Sequence, residues 1–579
     1  MIARSFYATG LILLAAKAEA QPPFRALDSI FTAIRTGQPT PAVGVAVVLR
    51  DSLIYTNIAG YADLERGTLA TPRTRFDWAS IAKQFTAFGV SQLLEQRSIT
   101  SLSDDARRYI PELDIGGARI TLAQLLHHTT GLEDTDGLYA LSGGRNGDPV
   151  THRDLVGLLV QQQHLRFAPG SAHFYSNGGY TLLAEIISRV TGVPFAAWAD
   201  SAIFEPLGMH AAGFVDDPHQ LIPDRALPFV RASQAHYRRS TSDLYPGAGG
   251  LFATVSDMAT WMRFMLRGES PAVRRLQVRG TLSTGDTLPY AWGLVWSSYR
   301  GRKTLGHAGS GPATAAHMLT IPELGFGVVA AIAGDVQANP AALAFLAVDL
   351  ALGDLLGPRD IAPTGRRMRL ITEDEMKARP AESVGIVVDS ATLQRYAGKY
   401  RMPDGSTLLV RARAATLEWA VNGRLPYIPL FPLPDAKFVS VPWWDTYRFE
   451  LPQRGPATRL VREATPQSLR GPNASNEVGE RLPDSRFSPA TARPYVGVYY
   501  SDELNTAYEV VLDGEQLALR HARHGKLPLA HLEGERFAVS GGGIVGAHFA
   551  RAGNAAVAME LEARSWGVRA SFRRTTSIP

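Results

Sequence analysis

Ser80 and Lys83 stand three positions apart in FDWASIAKQFTAFG, the stretch that begins at Phe76. If Ser80 opens a helix, Lys83 lies one turn later on the same face and its amine reaches the hydroxyl. Partial burial, which apolar Ile81, Ala82 and Phe85 supply, lowers a lysine pKa, and a neutral amine can take the serine proton. Read alone, the pair is equally two ordinary helix residues, because Ser-x-x-Lys arises by chance in many chains. Tyr175-Ser176-Asn177 lies just before another helical pattern. A tyrosine at a loop–helix junction can shuttle a proton and an asparagine can hold a substrate amide; a packed tyrosine and a turn-forming asparagine fit the same letters. His307-Ala308-Gly309-Ser310 enters a strand pattern, where small residues let a substrate backbone approach the edge. Acyl transfer also needs two donors aimed at the developing oxyanion, and the backbone amides of Ser80 and Ser310 are the natural candidates.

These residues need elements to hold them. Leu27 to Ile34 has the spacing of an amphipathic helix, and PAVGVAVVLR and SLIYTNIAGYA are two strands joined by a short polar turn, a hairpin. Helical spacing follows in SIAKQFTAFGVSQLLEQ, in ITLAQLLHHTTG with Gly131 closing the helix, in GYTLLAEIISRVTG, and in TVSDMATWMRFML with Ser256 as its cap. Strands return in YAWGLVW, AAHMLTI and GFGVVAAIAG, before the helical PAALAFLAVDLALGDLL. Strands at both ends with helices between predict an α+β fold: an antiparallel sheet built from distant parts of the chain, flanked by helices and a helical subdomain.

After about residue 360 the texture changes to short alternating runs. Tyr396-Ala397-Gly398-Lys399-Tyr400 is echoed by Tyr495-Val496-Gly497-Val498-Tyr499, at an offset of 99 residues. The echo predicts two diverged all-β, barrel-like domains; one larger β domain with a chance echo is the rival. The expected layout is a leader over 1–20, a catalytic domain over 21–360, a linker over 361–389, a first lipocalin-like barrel over 390–465, a linker over 466–490 and a second such barrel over 491–579. Small barrels are usually filled by their own side chains rather than by a ligand. Assembly into a homo-oligomer is the other job expected of these domains.

The 579 residues are 45% hydrophobic and 20% charged, with a net charge of +5 that concentrates in no tail, so nothing points to nucleic acid. No apolar run is long enough for a spanning helix. MIARSFYATGLILLAAKAEA, with Arg4, an apolar run and Ala18-Glu19-Ala20 before Gln21, has the pattern of a secretory signal peptide, and a buried N-terminal helix is the bland alternative. A bacterial periplasm fits best. Cysteine is absent, which excludes disulfides, a thiol nucleophile and thiolate metal sites. Adjacent His127 and His128 diverge and cannot simply share an ion; His128 is expected to support the active-site wall. His307 and His317 form no metal motif, so neither a metal nor a cofactor is expected. Phe76, Trp78, Tyr245 and Trp292 are candidates to line a pocket, and Pro312 denies the expected substrate-binding strand one donor.

Taken in order, Ser80-Ile81-Ala82-Lys83, Tyr175-Ser176-Asn177 and His307-Ala308-Gly309 resemble the motifs of the serine β-lactamase-like and penicillin-binding protein family, in its class C, D-aminopeptidase, DD-peptidase and esterase branch. LLHHTTGL, APG at 168–170, EPLGM at 205–209 and AGGLFATVSDMA from Ala248 support it, over roughly residues 25–355. The resemblance implies a nucleophilic Ser80, Lys83 assisting its deprotonation, Tyr175 relaying the proton to the leaving group and helping to activate water, and Asn177 orienting the substrate amide. Gly309 and Ser310 would bind substrate. His307 replaces the lysine of most β-lactamases, as in certain D-aminopeptidases and DD-peptidases. A neutral imidazole is a weaker carboxylate anchor, which argues against a specialised β-lactamase. The expected activity is therefore a serine peptidase or amidase on short peptides, including D-residues. A carboxylesterase and a penicillin-binding sensor with little turnover are the alternatives.

Overall fold

A computed structural model of the chain describes residues 24–576, apart from 146, 233–234, 239–244, 312–313, 335–338, 359–379, 381–382, 414–415, 422–426, 441–444, 465–474, 484–488, 515 and 565–566. The leader and Pro312 lie outside the described residues.

Val43–Leu49 and Ser52–Ala59 form the expected hairpin, turning through Arg50 and Asp51 at φ of 47° and 66°. The neighbour of Val43–Leu49 on its other side is Phe326–Ile332, almost three hundred residues away. Thr314–Ile321, Arg302–Gly311 and Val295–Tyr299 complete a six-stranded sheet in that order, every pair antiparallel. The alternation along Val43–Leu49 explains why the sheet is covered on both sides. Val43, Val45 and Val47 pack with Leu27, Phe31, Leu343 and Val348 of the helices Arg25–Thr36 and Pro340–Leu352. Ala46 and Val48 face the helical subdomain with Phe85, Val255 and Met258. A strand buried on both faces reads as a continuous apolar run, which is what PAVGVAVVL supplies.

The helix Lys83–Glu95 lies at the centre of that subdomain, buried almost all round, which fits its lack of a polar face. Three elements differ from the sequence reading. The helix expected through Gly131 is only Leu122–Leu126, because the chain leaves helical geometry at His128, where φ is 57°. Thr254, not Ser256, caps Val255–Arg267, in a reciprocal capping box with Asp257. In YAWGLVW the sheet begins only at Val295, since Gly293 turns the chain at φ 70° and sends Tyr290 and Trp292 into the core.

Two closed eight-stranded barrels follow the catalytic unit. The first runs from Gly398–Arg401 to Glu477–Arg481, so its last strand falls within the stretch read as a linker; the second runs from Gly497–Ser501 to Arg569–Thr575. The 99-residue echo is structural. Tyr400 donates to the carbonyl of Tyr396 and Tyr499 to that of Tyr495, each at 2.7 Å. Arg481 and Arg574, from the closing strands, donate to the carbonyls of Ala397 and Val496. Each arginine packs over the glycine of the repeated motif, Gly398 or Gly497, where a side chain would collide with it. The first barrel is filled by residues including Tyr400, Trp419, Tyr447 and Phe449, and the second by Tyr499, Phe537, Phe549 and Phe572. Among the described residues no single helix is long and apolar enough to cross a membrane.

Candidate active site

Ser80 sits in a tight 3-10 turn, Ala79–Ala82, that runs directly into the Lys83 helix. Ala79 adopts φ 44°, unusual for a residue with a side chain, and its N–H is tied to the Asp77 carboxylate at 2.8 Å. The turn rests on Gly309: a Cβ there would lie 2.4 Å from the Trp78 carbonyl oxygen and 3.3 Å from the Ala79 side chain. Gly309 is thus the point where the strand Arg302–Gly311 approaches the backbone beneath the serine.

The Lys83 side chain is fully buried, and its Nζ lies 3.1 Å from Ser80 Oγ, 2.8 Å from Asn177 Oδ1 and 2.8 Å from the Ala248 carbonyl oxygen. Two of these three partners can only accept, whereas the serine hydroxyl can also donate. A neutral amine has two hydrogens for the two carbonyl oxygens and one lone pair left for the hydroxyl. Burial draws the lysine pKa down to about 7, opposed by the charges of Asp134 and Asp136. The geometry and the electrostatics therefore agree on an amine able to take the Ser80 proton near neutrality.

Tyr175 lies beside Ser80, and its ring lies 4.9 Å from the Lys83 amine. Burial pushes its pKa well up, so the phenol holds its proton and acts as a donor. The segment Tyr175-Ser176-Asn177 is held in place by its backbone. The Ser176 N–H donates to His128 Nδ1 at 3.2 Å, and the Asn177 N–H to Asp134 Oδ2 at 2.6 Å. His128, with ring centroids 4.3 Å from Tyr175 and 4.5 Å from Tyr290, packs in the wall as the sequence suggested. Among the described residues no group of three or more His, Asp or Glu side chains could hold a metal ion.

His307 stands behind Tyr175, with ring centroids 6.0 Å apart. Its Nδ1 donates to the Ala308 carbonyl at 2.6 Å, which leaves Nε2 facing the Tyr290 hydroxyl at 3.4 Å. Burial, with Lys83 nearby, draws its pKa down to about 3, so the ring is neutral.

A cleft of about 870 Å³ opens over Ser80. Its lining includes Asp136, Asn177, Tyr245 and Ser310, while Lys83, His307 and Gly309 are buried and Tyr175 is half-buried. Of the four aromatic candidates, Tyr245 lines the cleft; Phe76, Trp78 and Trp292 are core residues. The sequence reading missed Asp134 and Asp136, which carry no motif by spacing, although EDTDG is an acidic stretch close after His128. The cleft also has a roof. Arg523, His524, Gly541–Gly543 and Arg564 of the second barrel line the same cleft, more than four hundred residues after Ser80.

A family model described as Beta-lactamase matches residues 27–353. A D-aminopeptidase of Gluconobacter oxydans is 30% identical over 292 residues, covering 49% of this chain and 54% of that one. A D-aminopeptidase of Brucella ovis is 28% identical over 296 residues, with the same coverage. The chain spans about half the length of these curated relatives. Among solved structures, an octameric penicillin-binding protein homologue from Pyrococcus abyssi has a TM-score of 0.51 at 20% identity, covering 79% of this chain and 99% of that one, a likeness of fold.

Proposed function

The chain belongs to the β-lactamase family, and we propose that it is a serine hydrolase whose Ser80 forms an acyl-enzyme with short peptides or amino-acid amides. The carrying observation is the three-way bonding of the Lys83 amine to Ser80, Asn177 and Ala248. Lys83 takes the Ser80 proton as the hydroxyl attacks the carbonyl carbon. The backbone amides of Ser80 and Ser310 receive the oxyanion. Tyr175 passes the proton held by Lys83 on to the departing amine, and a water molecule then hydrolyses the ester, its second proton returning to Ser80. His307, neutral and buried, positions Tyr175 from behind. Asn177 takes the substrate amide, with its own oxygen fixed by Lys83.

A roofed cleft of about 870 Å³ suits a short ligand and excludes a folded protein. The two D-aminopeptidases support amides of D-residues as the substrate class. The pattern before Gln21 supports export to the periplasm, and a secreted form whose mass begins at Gln21 is the expected finding.

The function is tested with D- and L-amino acid anilides, short peptides, a short-chain ester and a β-lactam, against Ser80→Ala as the blank. Amide turnover lost in Ser80→Ala, with covalent labelling of Ser80 by a fluorophosphonate, is expected. Ester cleavage with inert amides would make the protein an esterase, and unchanged labelling in Ser80→Ala would remove the nucleophile.

A further inference from the structure

Two guanidinium groups at the rim of the cleft share one carboxylate. Arg145 of the catalytic unit and Arg523 of the second barrel both line the cleft. Arg523 Nη2 donates to Asp148 Oδ2 at 2.6 Å and Arg145 Nη2 to Asp148 Oδ1 at 3.1 Å, with both arginine side chains exposed. The trio keeps a net positive charge. The loops that carry it are built in detail. In the turn between Gln516–His521 and Gly525–Glu533, His521 Nδ1 accepts the N–H groups of Arg523 and His524 at 3.2 and 3.4 Å. The hairpin from Arg536–Gly541 to Ile544–Ala552 turns through Gly542 and Gly543, at φ 60° and 72°. A Cβ on Gly542 would lie 3.0 Å from the His524 ring, and one on Gly543 3.2 Å from the Ala140 side chain. The tip is therefore bare backbone at the cleft, and the N–H of Arg564 donates to its Gly543 carbonyl at 2.7 Å. In a two-residue turn the central N–H groups stay out of the strand ladder, and successive N–H groups of this kind favour anions.

We propose that this rim, with Arg145, Arg523 and Arg564 around the glycine turn, binds a carboxylate of the substrate at a distance from the carbonyl that Ser80 attacks. The inference rests on the serine-hydrolase reading and names the group by which the substrate is selected. The cleft is polarised. Its acidic lining residues belong to the catalytic floor: Asp77 accepts the Ala79 N–H at 2.8 Å beside the serine, and Asp136 neighbours Asn177. The guanidinium groups come instead from the second barrel and from the loop that follows the helix Thr135–Leu141. A ligand that spans the cleft thus meets the nucleophile at one place and exposed cations at another. Guanidinium groups grip a carboxylate through paired N–H donors, and a rim already in positive excess gains by taking one. The other basic groups of the site are committed, Lys83 to its three partners and His307 to the Ala308 carbonyl. The carboxylate is that of a peptide's carboxyl end or of an acidic side chain, two sources of the same chemistry.

The test uses the full chain with Ser80→Ala, which binds without turning over. Calorimetry would compare trialanine, trialaninamide and alanyl-glutamyl-alaninamide, each in all-D and all-L form. A ligand with a carboxylate should bind at least about tenfold more tightly than trialaninamide, and the preference should shrink as salt is raised. Tighter binding of trialanine assigns the carboxyl end, and tighter binding of the glutamyl amide assigns the side chain. Adding Arg523→Gln together with Arg564→Gln should abolish the preference. Because Arg523 also helps to dock the barrel, Asp148→Asn separates charge from architecture. It breaks the same bridge but releases both guanidinium groups, so the preference should persist or widen. Equal binding of all three ligands, a preference that survives the paired Gln substitutions, or its loss in Asp148→Asn would overturn the proposal. Failure of the serine-hydrolase reading is seen separately, as absence of fluorophosphonate labelling on wild-type Ser80.

Discussion

A lysine amine in water holds its proton until well above neutrality, so a serine beside an exposed lysine gains nothing from it. Lys83 escapes that limit because its side chain is enclosed and its pKa falls to about 7. The active form is the neutral one, so the rate of Ser80 acylation should rise with pH and level off above about 7. His307 is not the source of this limb, since its ring is already neutral above about 3. Labelling rates measured from pH 5 to 9 should show a single ionisation near 7. Lys83→Gln should remove the ionisation and slow labelling by roughly 10²–10⁴-fold, the usual worth of a positioned base. A profile unchanged in Lys83→Gln would assign the proton transfer to another group. The pair itself was legible in the sequence, since three-residue spacing puts both side chains on one helix face. What the spacing could not give is the set of acceptors, Asn177 and Ala248, that complete the shell around the amine.

Two elements fix the site: the strand carrying Gly309 below the serine turn, and the segment after the Leu122–Leu126 helix, which holds Tyr175-Ser176-Asn177 through His128 and Asp134. Gly309→Ala puts a methyl group against the Trp78 carbonyl, and the Ser80 turn has to lift. Overpacking of this kind costs about 1–3 kcal/mol. The fold should survive while fluorophosphonate labelling slows by about tenfold or more, and a variant with wild-type labelling would show that the turn does not depend on this contact. The sequence placed Gly309 at the substrate because small residues at a strand edge admit a ligand backbone. The structure shows that smallness serving the protein's own backbone at Trp78, and a lone glycine cannot distinguish the two uses. The hairpin and the sheet from distant segments were readable from apolar runs with clear turns. The start of the Val295–Tyr299 strand was not, because aromatic residues with high strand preference, Tyr290 and Trp292, were taken by the core.

The repeat Tyr-x-Gly-x-Tyr revealed two barrels, but nothing in it says where the second one docks, since docking is set by surfaces that local patterns do not encode. The contact is specific. Val568 is buried against Gly137, where a Cβ would lie 2.3 Å away, and Tyr508 and His524 bond the Leu141 and Ala140 carbonyls at 3.2 and 3.0 Å. Arg523 reaches Asp148 at 2.6 Å, and Arg166 donates to the Gly567 carbonyl at 2.9 Å. The barrel therefore presses on the helix Thr135–Leu141 and closes the cleft from above. Val568→Arg places an unpaired charge in this seam, a cost of several kcal/mol that undocking relieves without opening the barrel. Its strands remain paired by their own ladder, so the circular dichroism of the variant should match the wild type. Hydrogen exchange should quicken across residues 137–143 and 521–524. Labelling by a bulky fluorophosphonate should gain on labelling by a small one by ~10-fold, about 1.4 kcal/mol of lost exclusion. If exchange quickens and the ratio of the two probes stays fixed, the second barrel does not gate the cleft, and the limit on substrate size lies in the catalytic unit alone.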